Sequence, residues 1–371
     1  MQLKVVRVRR AKVVAAHNKE RKESMKRTKL LQSLAIAAFA LLGLAGTAKA
    51  DYTGNCANIP DTVSGNIIIT DTVDCSLKDI TATGYVTITA PGFFGPSTMT
   101  LHAGGNITLT STSTTSGNIS VGLDAGGNVN VHSGFNIWLP FITSGGNVVL
   151  KADNSYVRID GTISAPGHIV VVSASGDVSL QNIDASTTSG YGSVRIFSNK
   201  SGGSDAFVIG TAGATNGVGT IDVSNSAGGD EIYISNAGSG GITYSSGNLN
   251  VSGSAGPSGS IVLDTRAGSG PITLNGGTIS SDGTNGTSHY RAGNIDLLTS
   301  TGAGIVVSDN TTITASQDGS VAAGTGNFIN IGTDAISIDS GKQFTINVNG
   351  NGDAPGFALA TIAPVGFDSV T

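Results

Sequence analysis

Charge is scarce in this chain: Asp, Glu, Lys and Arg make up 12% of its 371 residues, about half the usual share. Aromatics are scarcer still at 5%, and there are only two Cys and one Trp. Two Cys in so long a chain exclude a miniprotein built on disulfides. Long helices, coiled coils and helical repeats are excluded by the 54 Gly, since each Gly costs about 1 kcal/mol in a helix interior. Those Gly follow no three-residue period, which excludes collagen. Low charge with recurring Val and Ile runs is the wrong composition for a disordered chain.

The net charge of −5 is unevenly divided. Residues 1–50 hold 12 of the 20 basic and 2 of the 25 acidic side chains, which leaves 8 basic against 23 acidic, a net of −15, over 51–371. That balance disfavours a nucleic-acid partner, because phosphate binding needs basic patches. The basic segment reads as an address. Met25-Lys26-Arg27-Thr28-Lys29 is an n-region, Leu34 to Gly46 an uncharged apolar core, and Ala48-Lys49-Ala50 a cleavage signal ending before Asp51. The apolar run is too short to span a bilayer comfortably. Residues 1–50 are therefore expected to be an N-terminal extension plus signal peptide, with export through the Sec pathway to the medium or the outer cell surface and no transmembrane segment after cleavage. Both Met1 and Met25 fit as the start.

Cys56 and Cys75 suit an oxidising compartment, and a disulfide between them is expected, two free thiols being the alternative. Residues 51–76 then form a disulfide-containing N-terminal cap, and residues 77–371 the main body.

That body is one long repeat. Gly65-Asn66-Ile67-Ile68-Ile69-Thr70 returns as Gly84-Tyr85-Val86-Thr87-Ile88-Thr89, Gly105-Asn106-Ile107-Thr108-Leu109-Thr110, Gly127-Asn128-Val129-Asn130-Val131, Gly146-Asn147-Val148-Val149-Leu150 and Gly167-His168-Ile169-Val170-Val171. The residue after Gly falls at 66, 85, 106, 128, 147 and 168, in steps of 19 to 22. Shorter alternating runs lie between, including Asn136-Ile137-Trp138-Leu139, Tyr156-Val157-Arg158-Ile159 and Asp177-Val178-Ser179-Leu180. Two or three short strands in about 20 residues is the pattern of a β-helix coil. After residue 190 the phrase persists, with Gly/Ser/Thr/Asn insertions that would bulge as loops. The expected fold is all-β: a single-stranded right-handed parallel β-helix, or β-solenoid, with coils of about 19–25 residues and about 15 coils in all. Gly is expected at corners needing φ > 0. Asn66, Asn106, Asn128 and Asn147 are expected to stack as an inward asparagine ladder, a structural role. The repeat fades through Phe344-Thr345-Ile346-Asn347-Val348, and the rod is expected either to continue or to be covered by a partner.

The phrases at 104–110, 126–131 and 145–152, each opening Gly-Gly-Asn, resemble the repeats of filamentous-haemagglutinin-type adhesins. The resemblance spans roughly 65–350. It implies a β-helical surface or secreted protein of the bacterial outer membrane, exported with the help of an outer-membrane partner. The Asn-Pro-Asn-Gly and Asn-Pro-Asn-Leu motifs usual in that family's secretion domain do not occur here.

Chemistry is thinly marked. No nucleophile elbow, phosphate loop or dinucleotide fingerprint stands in its proper context. The four His beyond residue 51 are scattered, so no metal site and no cofactor is expected, apart from diffuse Ca²⁺ at acidic loops. β-Helices also carry polysaccharide lyases and glycoside hydrolases, which need carboxylates and a base. Asp153/Arg158/Asp160, Asp230/Glu231 and Asp264/Arg266 are the suggestive sets. Arg158, Asp160, Asp264 and Arg266 are the catalytic candidates if the chain is an enzyme, and exposed ion pairs otherwise. The leading expectation is a non-catalytic rod presenting polar faces to glycans or to host or cell-surface proteins, with Trp138, Tyr233, Tyr244 and Tyr290 as glycan contacts and the loops at 202–217 and 280–290 as variable surfaces.

Overall fold

A computed structural model of the chain describes residues 51–94, 98–115, 118–188, 191–224, 231–246, 248–252, 258–282, 293–315, 328–348 and 356–360. The expected extension and signal peptide at 1–50 and the contact residue Tyr290 lie outside the described residues.

Alternation decides the architecture. In Val148-Val149-Leu150-Lys151-Ala152 the first, third and fifth side chains are buried and the other two exposed, since successive side chains of a strand point to opposite faces. No coil can bury its own apolar edge, so each strand pairs in parallel with the next coil: Val129 with Val148, Val148 with Val170, Val170 with Val194. The chain is a right-handed parallel β-helix, the hand that strand twist imposes on parallel crossovers. Its first face, among the described residues, is a sheet of 13 strands running from Tyr52–Gly54 to Gly356–Ala360. A 17-stranded sheet wraps the other two faces. Val157–Ser164 shows how: its register shifts between Ile159 and Thr162, so its first half pairs with Asn136–Leu139 on the second face and its second half with Ile142–Ser144 on the third. Inside runs a narrow stack of Ile, Val, Leu and Ala, each large member contributing about 1.5–3 kcal/mol by leaving water.

Coil length departs from expectation. From Ile67 to Val194 successive first-face partners are 19 to 24 residues apart, but Val194 pairs with Ile232, 38 on, and Ile261 with Ile295, 34 on. The 38-residue coil folds part of its insertion into the second face, where Phe207–Ile209 pairs with Gly217 and Val218 and with Ile242–Tyr244, and among the described residues there are 13 first-face rungs in place of about 15.

The N-terminal segment carries the expected disulfide. Cys56, in a short 3₁₀ turn, is disulfide-bonded to Cys75, with their Cα atoms 5.2 Å apart. Tyr52–Gly54 and Ile67–Thr70 already belong to the first face, and Cys75 pairs with Phe93 of the next coil. The disulfide staples the opening coil to its neighbour.

The Gly-Asn phrase marks one corner, and its chemistry differs from the inward ladder expected. Asn66, Asn106, Asn128 and Asn147 are half-buried or exposed. Their Oδ1 atoms accept backbone N–H groups one coil on, from Tyr85 (3.0 Å), Asn128 (2.8 Å), Asn147 (2.8 Å) and Ile169 (2.9 Å) respectively. Asp51 Oδ1 accepts from Asn66 N–H in the same way and begins the series. The glycines before these asparagines do not have positive φ. Gly127 and Gly146, and Gly84 before Tyr85, are there for space: a Cβ on Gly84, Gly127 or Gly146 would collide with the Oδ1 of Asn66, Asn106 or Asn128 respectively. Asn147 binds Ile169 rather than His168, because Gly167, at φ +75°, introduces one extra residue.

Candidate functional site

The second face carries the most distinctive cluster. In Asn136–Leu139, Ile137 and Leu139 fill the core, so Trp138 points out and is 38% exposed. Register sets Trp138 beside Arg158, and Arg158 beside Ser179, one per coil. Asp160, at the bend after Ile159, ties this row together. Its Oδ2 accepts from Trp138 Nε1 and its Oδ1 from Arg158 Nε, both at 2.6 Å. The Arg158 guanidinium lies 5.1 Å from the Trp138 ring centroid, a cation–π distance. Partial burial pushes the Asp160 carboxyl up, but the hydrogen bonds from Trp138 and Arg158 and the charge of Arg158 outweigh it and hold the group below its ordinary range.

These side chains floor an open cleft of about 370 Å³, lined by Trp138, Tyr156, Arg158, Asp177, Ser179 and the loop residues Gly213 and Thr215. The loop is pinned from beneath by Asn216, which is buried. Its Oδ1 accepts from Val178 N–H at 3.0 Å and from Ser198 Oγ at 2.6 Å, and its Nδ2 donates to the Asp205 carbonyl at 3.3 Å. Asp177 has its carboxyl pushed up, first by burial and then by the facing Asp205 charge, against a hydrogen bond from Asn199. The cleft thus combines an aromatic surface held flat, hydroxyl groups and one carboxyl, which is equipment for holding a polyhydroxylated ligand.

The other nominated residues separate. Asp153 is not part of the Arg158/Asp160 set: it belongs to the first-face strand end, bound by Lys151 Nζ at 2.8 Å and His132 Nε2 at 2.6 Å. Asp264 and Arg266 form a closed group far along the first face. Asp264, 5% exposed, accepts from Arg266 Nε and Nη2 (3.0 and 2.8 Å), from the Arg266 backbone N–H (2.9 Å) and from Tyr233 Oη (2.8 Å). Burial pushes that carboxyl up and Arg266 outweighs it, for a net lowering. Tyr233 packs on Phe197, ring centroids 5.5 Å apart, with its hydroxyl engaged by Asp264. Glu231 pairs with Arg195 at 2.8 Å. Tyr244 is not a surface contact. It is 1% exposed, donates to the Thr278 carbonyl at 2.6 Å, and burial pushes its hydroxyl up to about 12. It stands two residues after Ile242, and alternation turns both inward.

Among the described residues no group of three or more His, Cys, Asp or Glu converges on a metal position, and no helix is long and apolar enough to cross a membrane. Sequence reasoning did not single out Asp177, Tyr156 or Asn216. The first two flank strands that were legible, but only the 38-residue coil that brings residues 211–216 over them makes a cleft. No protein-family model matches the chain, and no curated protein or solved structure matches it either.

Proposed function

We propose that this β-helix is a secreted or cell-surface rod, akin to the filamentous-haemagglutinin-type adhesins, that binds glycans without cleaving them. It would leave the cytoplasm through the Sec pathway and use an outer-membrane export partner, with host or cell-surface glycans or proteins as its ligands. The observation that carries the reading is Trp138. An exposed indole clamped by Asp160 and Arg158 at the floor of an open cleft offers a sugar ring a flat apolar face whose ordering has already been met by the protein. The Ser179 and Thr215 hydroxyls at the cleft wall suit sugar hydroxyls.

A second reading, a polysaccharide lyase or glycoside hydrolase, is favoured by one feature: Asp177, a carboxyl pushed up in the same cleft, has the character of a general acid. One experiment separates the two. Residues 51–371 are incubated with a panel of plant, bacterial and host polysaccharides, and both retention and new chain ends are recorded. Retention that Trp138→Ala abolishes, with no new ends, supports the binding rod. New ends that Asp177→Asn abolishes support the enzyme.

A further inference from the structure

We infer that the Trp138 cleft selects uncharged sugars, and that Asp177 is the residue that turns carboxylated sugars away. The inference rests on the glycan-binding reading above and adds the ligand class.

The argument is one of charge placement. Among the lining residues Arg158 is the only cation, and an Arg in a sugar cleft would ordinarily invite a uronic acid by bidentate pairing. Here one of the guanidinium's five N–H donors is already engaged, and its charge is offset by a carboxylate. Its Nε donates to Asp160 Oδ1 at 2.6 Å, and its face is spent on the Trp138 ring. Asp160 also accepts from Trp138 Nε1, so the pair is held as a unit and the Asp160 carboxylate offsets the charge that Arg158 brings to the lining. Asp177 is the other charge on the lining, and the groups acting on its carboxyl include no cation. The neutral amide of Asn199 donates to it, and the acidic group in contact with it is a second carboxyl, Asp205. The remaining polar lining groups, Tyr156, Ser179 and Thr215, are neutral hydroxyls. A neutral sugar meets hydroxyls and a carboxylate acceptor, both of which its own hydroxyls satisfy. A uronate or sialic acid brings a negative charge to the same wall, where partial desolvation strengthens the repulsion. The cleft thus rejects acidic ligands by placing a like charge against them. The 23 acidic and 8 basic residues over 51–371 give the whole rod the same sign.

The test uses polymers that differ only in this charge. Native polygalacturonate, polymannuronate and hyaluronan are each compared with their carboxyl-reduced forms by affinity electrophoresis with residues 51–371, in parallel with Trp138→Ala and Asp177→Asn. The expected result is retention of a carboxyl-reduced chain at least about tenfold stronger than of its native parent, lost in Trp138→Ala, with the gap narrowed several-fold in Asp177→Asn through gain on the native chain. The wild-type comparison needs no variant to fold. Trp138-dependent retention that favours the native, carboxylated chains overturns this inference and leaves the glycan reading standing. A gap unchanged in Asp177→Asn overturns the role of Asp177. Absence of Trp138-dependent retention on every polymer overturns the glycan reading, and this inference with it.

Discussion

Asn106 Oδ1 accepts the backbone N–H of Asn128, 22 residues on, at 2.8 Å, and the side chain passes through the space that Gly127 leaves by having no Cβ. The two-residue phrase Gly-Asn is therefore one contact seen from both sides. The Asn of one coil needs the Gly of the next.

That coupling is measurable. Asn106→Ala leaves the Asn128 N–H at a solvent-exposed corner without its partner and should cost about 0.5–1.5 kcal/mol. Gly127→Ala drives a methyl into the Asn106 amide and should cost about 1–3 kcal/mol. The double variant should cost less than the two together, because the methyl then enters space the amide has vacated. Denaturant unfolding of the four proteins gives the interaction energy directly; strict additivity would show the contact to be absent.

Reduction of Cys56–Cys75 should destabilise the opening coils by about 3 kcal/mol, the chain-entropy value for a loop of this length. Cys75 pairs with Phe93, so the loss should appear first as faster amide exchange over the first two coils. Uniform exchange along the rod in Cys56→Ser/Cys75→Ser would argue against a local staple.

Arg266→Ala removes the cation from Asp264, a nearly buried carboxylate, and should cost about 1–3 kcal/mol at neutral pH. The pH dependence follows in sign. The folded protein holds Asp264 below its ordinary value of 3.8. Its contribution is therefore complete above that value and is lost as pH falls through the folded one. Melts of the variant and the parent should differ at pH 7 and converge in acid; a constant difference down to about pH 2 would contradict the linkage.

Asp177 has the opposite sign. Its folded carboxyl lies above 3.8, so its contribution favours the fold only below 3.8 and is lost as pH rises through the folded value. Asp177→Asn should leave the melting temperature unchanged in acid and raise it by about 1–2 °C at neutral pH. A lower melting temperature at neutral pH would mean that its charge is held by a cation.

The sequence by itself determined the fold class, the spacing of the first five phrases, the Cys pair and which residues of most strands face inward; at the sixth, Val170 and not Ile169 pairs with Val148. Side-chain direction has a period of two, and that period is printed in every run from Ile67 to Ile331. It even held the answer for Tyr244, two places after Ile242, though an exposed aromatic was expected there. The sequence also showed Gly beside Asn, but not why. Backbone freedom was the local explanation, whereas the reason is a side chain arriving from the coil before, which no single coil contains. Tertiary structure alone decided the rest. It put Asp153 on one face and Arg158 with Asp160 on another, since a corner lies between them. It also stretched one coil to 38 residues, so that the loop at Gly213 and Thr215 overhangs Trp138 from three coils away. Stacking fixes the strands by pairing and leaves corner length free, so residues far apart in the chain meet only where an insertion folds back over a face.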